Sequence, residues 1–227
     1  MLILADKKIP DQALKSLENR GELVLFETNG ITYDAISGHP DIFFCKTPGG
    51  LIVAPNTPEK YIDILRVNSI EFTYGNNPVG SKYPYTAIYN AVVNDKQIIH
   101  CIKYTDNKIL ELNSNLKVTN VNQAYSRCSC INIKEVYITS DAGIYSVLKN
   151  NNSVVIFVNP ENIVLKGFKH GFFGGCCGVY DNVLYVAGKL NNLIAYDTLK
   201  LIQNSNIKIV ELYDGPLYDV GGILFLE

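Results

Sequence analysis

Five times along the chain a short apolar run closes on a polar or turn residue. The runs are "LILADK" (2–7), "LIVAPN" (51–56), "IIHCIK" (98–103), "VYITSD" (136–141) and "LYVAGK" (184–189). Behind them come "IPDQALKSLENRG", "TPEKYIDILRVN", "DNKILELNSN", "AGIYSVLKNN" and "NNLIAYDTLKLIQNSN". In most of these, apolar residues recur at helical spacings of three and four. Thr57 and Pro58 read as the N-cap and first helical residue of the second. A further apolar run closes each unit: "ELVLFET", "SIEFTYG", "LKVTNV", "SVVIFVN" and "IKIVELY". Upstream of four of the units lies an opening strand: "DIFFCKTPGG", "TAIYNAVVNDK", "CINIKE" and "GGCCGVYDN". Pro48-Gly49-Gly50, Asn94-Asp95 and Asp181-Asn182 supply the tight loops that hairpins need. The unit is strand, hairpin, strand, helix, strand, repeated about every 45 residues.

The count is incomplete only at the two ends. "YDVGGILFLE" is an opening strand with no partner after it, and "MLILADKK" is a second strand with nothing before it. Pairing the two completes a fifth unit and leaves no open sheet edge. The expected fold is therefore one α/β domain over residues 1–227, a five-bladed pseudo-symmetric α/β propeller of ββαβ units with helices outside. Its units span approximately 38–75, 83–122, 128–160, 173–213, and 218–227 joined with 1–29.

Composition narrows the function classes. With 20 Lys and Arg against 22 Asp and Glu, the net charge is −2 and no basic stripe appears, so a nucleic-acid partner is not expected. No apolar run is long enough to span a bilayer, and "MLILADKKIPDQ" is too short in its apolar part for a secretion signal. A cytoplasmic protein without a membrane partner follows, with its six cysteines as thiols. "CSC" and "CC" are not the knuckles of a structural zinc site, and no paired histidines accompany them; neither a metal nor a cofactor is expected.

The stretches "GHPDIFFCKTPGGLIVAPN", "RCSCINIKEVYITSDAGI", "GFFGGCCGVYDNVLYVAG" and "YDVGGILF" resemble a bacterial family of the pentein, or guanidino-group-modifying enzyme, fold. The resemblance covers the whole chain through short motifs. It implies a ring in which the opening strands line a central channel. Polar residues at their mouths would then meet: His39 and Asp41, Tyr83 and Tyr85, Arg127, Cys128 and Cys130, His170, Cys176 and Cys177, and Tyr218 and Asp219. The returning strands would bring Asp141, Lys189 and Asp6 to the same end.

Enzymes of that superfamily attack a guanidinium carbon with a Cys thiolate, use a His as acid and base, and hold the cationic head with carboxylates. "HPDIFF" is similar to the segment that presents their His. By that likeness His39 is the acid–base, Asp41 a catalytic carboxylate and Asp219 an anchor. Two units on from His39 lies "SRCSCINI", so Cys128 is the first choice of nucleophile, with Arg127 beside it favouring the thiolate. Cys130, two residues further and expected on the same strand face, is second, and Cys176 third. His170 reads as loop or acid–base, and Asp141 as a helix N-cap or a ligand. "GFFGGCCGVY" has no acid where deiminases place a carboxylate pair. The resemblance thus implies a Cys-dependent hydrolase of a small guanidino or amidino compound, intact or degenerate. The alternative is a non-catalytic ligand- or protein-binding module on the same scaffold.

Overall fold

The structure, a computed structural model, describes residues 1–192, 200, 202, 204 and 206–227. The chain starts with β1 (Leu2–Asp6), α1 (Asp11–Glu18) and β2 (Glu22–Phe26). Next come α2 (Pro40–Phe43), β3 (Phe44–Thr47), β4 (Gly50–Val53), α3 (Glu59–Val67) and β5 (Phe72–Tyr74). The same order recurs in β6 (Val92–Val93), β7 (Gln97–His100), α4 (Asn107–Leu112) and β8 (Lys117–Asn120). It recurs again in α5 (Ser126–Ser129), β9 (Cys130–Ile133), β10 (Val136–Thr139), α6 (Ala142–Asn150) and β11 (Val154–Phe157). Last are β12 (Cys177–Tyr180), β13 (Val183–Val186), β14 (Lys208–Glu211) and β15 (Leu224–Leu226).

Among the described residues these strands form five sheets of three. In each, the middle strand runs antiparallel to the opening strand and parallel to the closing one. The parallel pair is what demands a crossover, and a helix supplies it wherever the connection is described. At Asp181 and Asn182 the backbone has φ of 48° and 58°, the two left-handed residues that a two-residue hairpin needs. The chain ends share a sheet: β15 lies antiparallel to β1, with Leu226 opposite Leu2 and Leu224 opposite Leu4. The middle strands are buried on both faces: Leu2 and Leu4 of β1 join one core cluster and Ile3 and Ala5 another, and Phe26 of β2 packs its ring 4.5 Å from that of Tyr61 on α3.

Five hydrogen bonds join the mouths of the opening strands, unit to unit. Asp41 N donates to Gly221 O (3.1 Å), and Asn90 Nδ2 to Asp41 O (3.0 Å). Arg127 N donates to Asn90 O (2.9 Å), and Arg127 Nη1 to Gly174 O (2.8 Å). Gly222 N donates to Gly175 O (2.8 Å), returning to the segment where the series began.

Local details differ from the sequence expectation. The strand mouths are helical turns: α2, α5 and a single turn at Gly174–Cys176 precede β3, β9 and β12. Pro40, in the first turn of α2, fixes φ where a helix needs it and has no N–H to leave unpaired. Thr57 does not cap α3; Pro58 occupies that position without a side-chain bond. The expected helix in "NNLIAYDTLKLIQNSN" falls largely outside the described residues. No helix among the described residues is long and apolar enough to cross a membrane.

Candidate functional site

The helical turns determine which side chains meet. Asp41 lies three residues before its opening strand; Asn90, Cys128, Gly175 and Gly222 lie two before theirs. These equivalent positions converge. Cys128 Sγ donates to Asp41 Oδ2 at 3.0 Å and accepts from Asn90 Nδ2 at 3.3 Å, while its backbone N–H donates to Asn90 Oδ1 at 2.9 Å. One ring nitrogen of His39, one carboxylate oxygen of Asp41 and the thiol of Cys128 all lie within 4.8 Å of one another. Behind His39, Asp6 Oδ2 stands 3.7 Å from Nε2. Gly221 allows this packing: its φ is +62°, and a Cβ there would lie 2.1 Å from the Cβ of His39.

His39, Cys128 and Asp219 face a cavity of about 370 Å³. Its walls are largely aromatic, with Tyr33, Tyr83, Tyr125, Phe168 and Phe172, and Lys169 and His170 are among the other residues that line it. Tyr33 and Tyr125 join hydroxyls at 2.9 Å, and Tyr125 also bonds Thr86. Asp219 is buried, with Oδ2 accepting from Phe172 N at 2.8 Å and Oδ1 from Gly221 N at 3.0 Å. Asp41 sits behind the thiol instead, lining a second cavity of about 340 Å³ along the opening strands together with Arg127.

Burial dominates the electrostatics. It pushes Asp219 up to about 7, against two amide hydrogen bonds that pull it down. Asp41 rises to about 6 for the same reason, opposed chiefly by the Arg127 charge, and Asp6 also rises to about 6. His39, without room for a charge, is held down at about 3. Burial, then the charges of Asp41 and Asp219, hold the Cys128 thiol well above its ordinary range. The resting pair is thus a thiol and a neutral imidazole. Both ring nitrogens of His39, and Oδ1 of Asp41, are buried without a hydrogen bond from the protein.

Several sequence expectations need correction. Arg127 does not favour the Cys128 thiolate: its guanidinium is committed to Gly174 O and Cys177 O (2.8 and 3.0 Å), and its charge acts on Asp41. Cys130 does not share a face with Cys128, because the turn of α5 breaks the two-residue alternation. It packs with Val92, Ile99 and Tyr137 instead, and burial pushes its thiol up to about 12. Cys176 is a core residue beside Phe173 and Leu184, its Sγ donating to Phe172 O at 3.3 Å. Asp141 caps α6, accepting from Ile144 N at 2.8 Å, and faces a different cavity. Lys189 pairs with Asp214 at 2.9 Å, and Tyr85 is exposed against Tyr104. His170 does line the main cavity, with Nδ1 3.0 Å from Gly171 O. The structure adds Asn90, Tyr33 and Tyr125 to the site. Asn90 was legible in principle, since "YNAVV" places it before a strand as "RCSC" places Cys128.

Sheets of this order with such a site define a protein of the pentein fold, and the solved structures it is similar to agree. SxtG, an amidinotransferase from Microseira wollei in the saxitoxin biosynthetic pathway, matches with TM-score 0.60 at 10% identity, covering 100% of this chain and 94% of that one. DDAH from Pseudomonas aeruginosa, solved as a Cys-to-Ser mutant complexed with citrulline, matches with TM-score 0.53 at 7% identity, covering 92% of this chain and 91% of that one. Residues 4–224 match the "Family of unknown function (DUF6873)", and the chain belongs to that family. No curated protein matches the sequence at a significant level.

Proposed function

We propose that the chain is a single closed five-bladed propeller that hydrolyses a small guanidino or amidino compound through Cys128, in the cytoplasm, where its six unpaired cysteines stay reduced. One observation carries the reading: a thiol, an imidazole and a carboxylate gathered within 4.8 Å beside an aromatic-walled cavity. The unit-to-unit hydrogen bonds and the β15–β1 pairing support closure of the ring.

The roles follow from the electrostatics. Three buried carboxyls, Asp6, Asp41 and Asp219, surround the site, and a planar cation entering the cavity offsets their charge. The same cation lowers the cost of ionising Cys128. The thiol proton passes to His39, whose imidazolium Asp6 stabilises from 3.7 Å. The thiolate attacks the central carbon, the leaving amine takes the proton from His39, and water activated by His39 then cleaves the S–C bond. Asp219 takes the cationic head, and Asp41 holds the thiol in line.

The test uses two thiol reagents in the presence of a chelator, with the modified residue mapped by mass spectrometry. A cationic haloacetamidine should label Cys128 at least about tenfold faster than neutral iodoacetamide does, because only the cation lowers the thiol's pKa on binding. His39→Ala should remove that advantage. Uniformly slow labelling of all six cysteines by both reagents rejects the enzyme. It leaves the second reading, a ligand-binding module, which the buried and protonated state of Cys128 favours.

A further inference from the structure

The three side chains at the centre are a soft, a borderline and a hard donor: a thiol, an imidazole and a carboxylate. They come from α2, with His39 just before it, and from α5, in different sheets' units, and the fold alone brings them within 4.8 Å of one another. His39 and Asp41 are buried, yet both ring nitrogens and Oδ1 receive no hydrogen bond from any protein group. Such orphaned polar atoms are rare in folded interiors, and a bound ion would supply each with the partner it lacks. Asp6 and Asp219 add two further buried carboxyls, against the guanidinium of Arg127, so the region is short of positive charge.

We infer that His39, Asp41 and Cys128 bind a zinc ion in mutually exclusive competition with thiol chemistry. Zinc takes sulfur, nitrogen and carboxylate oxygen together, with bond lengths of about 2.0–2.3 Å. Closing the three donors onto one ion therefore needs a contraction of about 1 Å from their present spacing. The fourth position opens into the aromatic-walled cavity, which His39 and Cys128 both line, leaving room for water. Hard cations such as magnesium or calcium prefer all-oxygen sites and would not choose this one. On binding, the S–H bond of Cys128 breaks, a zinc–sulfur bond forms and the proton leaves to the buffer; nothing is oxidised or reduced. The metal-loaded protein has no free nucleophile, so zinc acts as a reversible block on the proposed reaction. Binding itself needs only the donor geometry and stands whether or not the site turns over.

Cobalt(II) is the probe, because it reports its own ligands. Titrating the reduced protein should raise a thiolate-to-cobalt charge-transfer band in the near ultraviolet, with the strong visible bands of a four-coordinate ion, at one equivalent. Zinc should displace it at one equivalent. Cys128→Ser should abolish the charge-transfer band, and His39→Ala should weaken binding at least about tenfold. Cys101→Ser, a half-buried thiol outside the triad, should change neither. The inference fails if wild type gives only the weak spectrum of six-coordinate cobalt, if the band survives in Cys128→Ser, or if Cys101→Ser removes it. Metal binding without selective amidine labelling would reject the hydrolase and keep the zinc site. Selective labelling without cobalt binding would do the reverse.

Discussion

Replacing Asn90 by Ala tests how the central thiol is held. Asn90 has no exposed surface, and its amide makes three contacts: Oδ1 accepts from Cys128 N, and Nδ2 reaches Asp41 O and Cys128 Sγ. Truncation leaves one buried N–H and one buried C=O without partners, at about 1–3 kcal/mol each. The contact to sulfur is weaker and adds little. The expected loss is therefore about 2–6 kcal/mol, a large share of the roughly 5–15 kcal/mol that stabilises a typical domain. At about 2–4 °C per kcal/mol for a chain of this size, the melting point should fall by about 4–24 °C. Urea denaturation followed by circular dichroism gives the loss directly, and thermal melts give the shift. In the same variant Cys128 should become more accessible to iodoacetamide, because the turn that presents it is freed. A loss below about 1 kcal/mol with unchanged Cys128 labelling would show that Asn90 does not tie the two units together, and the account of the site would be wrong at its centre.

Asp6→Asn imitates the protonated carboxyl and keeps the acceptor for Lys8 N. Since the folded pKa, about 6, lies above the unfolded value of about 3.9, the native state keeps its proton longer as pH rises. The group stabilises at low pH and that contribution is lost between about pH 4 and 6, so wild type should lose up to about 3 kcal/mol relative to the variant across that window, measured by denaturation at each pH. His100 has the opposite sign: buried between Thr105 Oγ1 and Ala124 O and held down at about 4, it contributes stability above its unfolded pKa of about 6.5 that is lost as pH falls toward 4. His100→Gln should make the acid limb of the stability curve shallower, and an unchanged limb would contradict this. Gly175→Ala places a Cβ 2.0 Å from Asp219 Oδ1, so the carboxylate must move; a loss of about 1–3 kcal/mol and slower amidine labelling of Cys128 are expected, and a variant within about 0.5 kcal/mol of wild type would refute the close approach.

The architecture was readable because its signals are local and repeated. Alternating and apolar runs, the Asp181-Asn182 turn and the unmatched segments at 1–29 and 218–227 each carry a direct physical meaning, and the sheet joining β15 to β1 answers the last of them. The helical turns α2 and α5 were not readable. Four residues are too few for a helical period, and "PDIF" sits in an apolar stretch with strand character. That single omission explains the error at Cys130, which alternation put beside Cys128. Asn90 escapes for a separate reason: its strand β6 has only two residues, so "YNAVV" shows that a strand follows but not where it starts. The meeting of His39, Asp41 and Cys128 was anticipated through the pentein resemblance, but the burial that keeps His39 and Cys128 uncharged and raises Asp41 is a property of the packed whole and leaves no mark on a motif.

The β15–β1 pairing bears on how the molecule is made. Residues 218–227 leave the ribosome after the other four units, and they carry Asp219, Gly221 and the partner of the first strand together. Until they arrive, β1 has a bare flank and His39 lacks the wall that Gly221 provides. A fragment clipped in this segment therefore loses the Asp219 wall of its cavity and exposes a sticky strand in one stroke, so damaged copies are conspicuous to proteolytic surveillance.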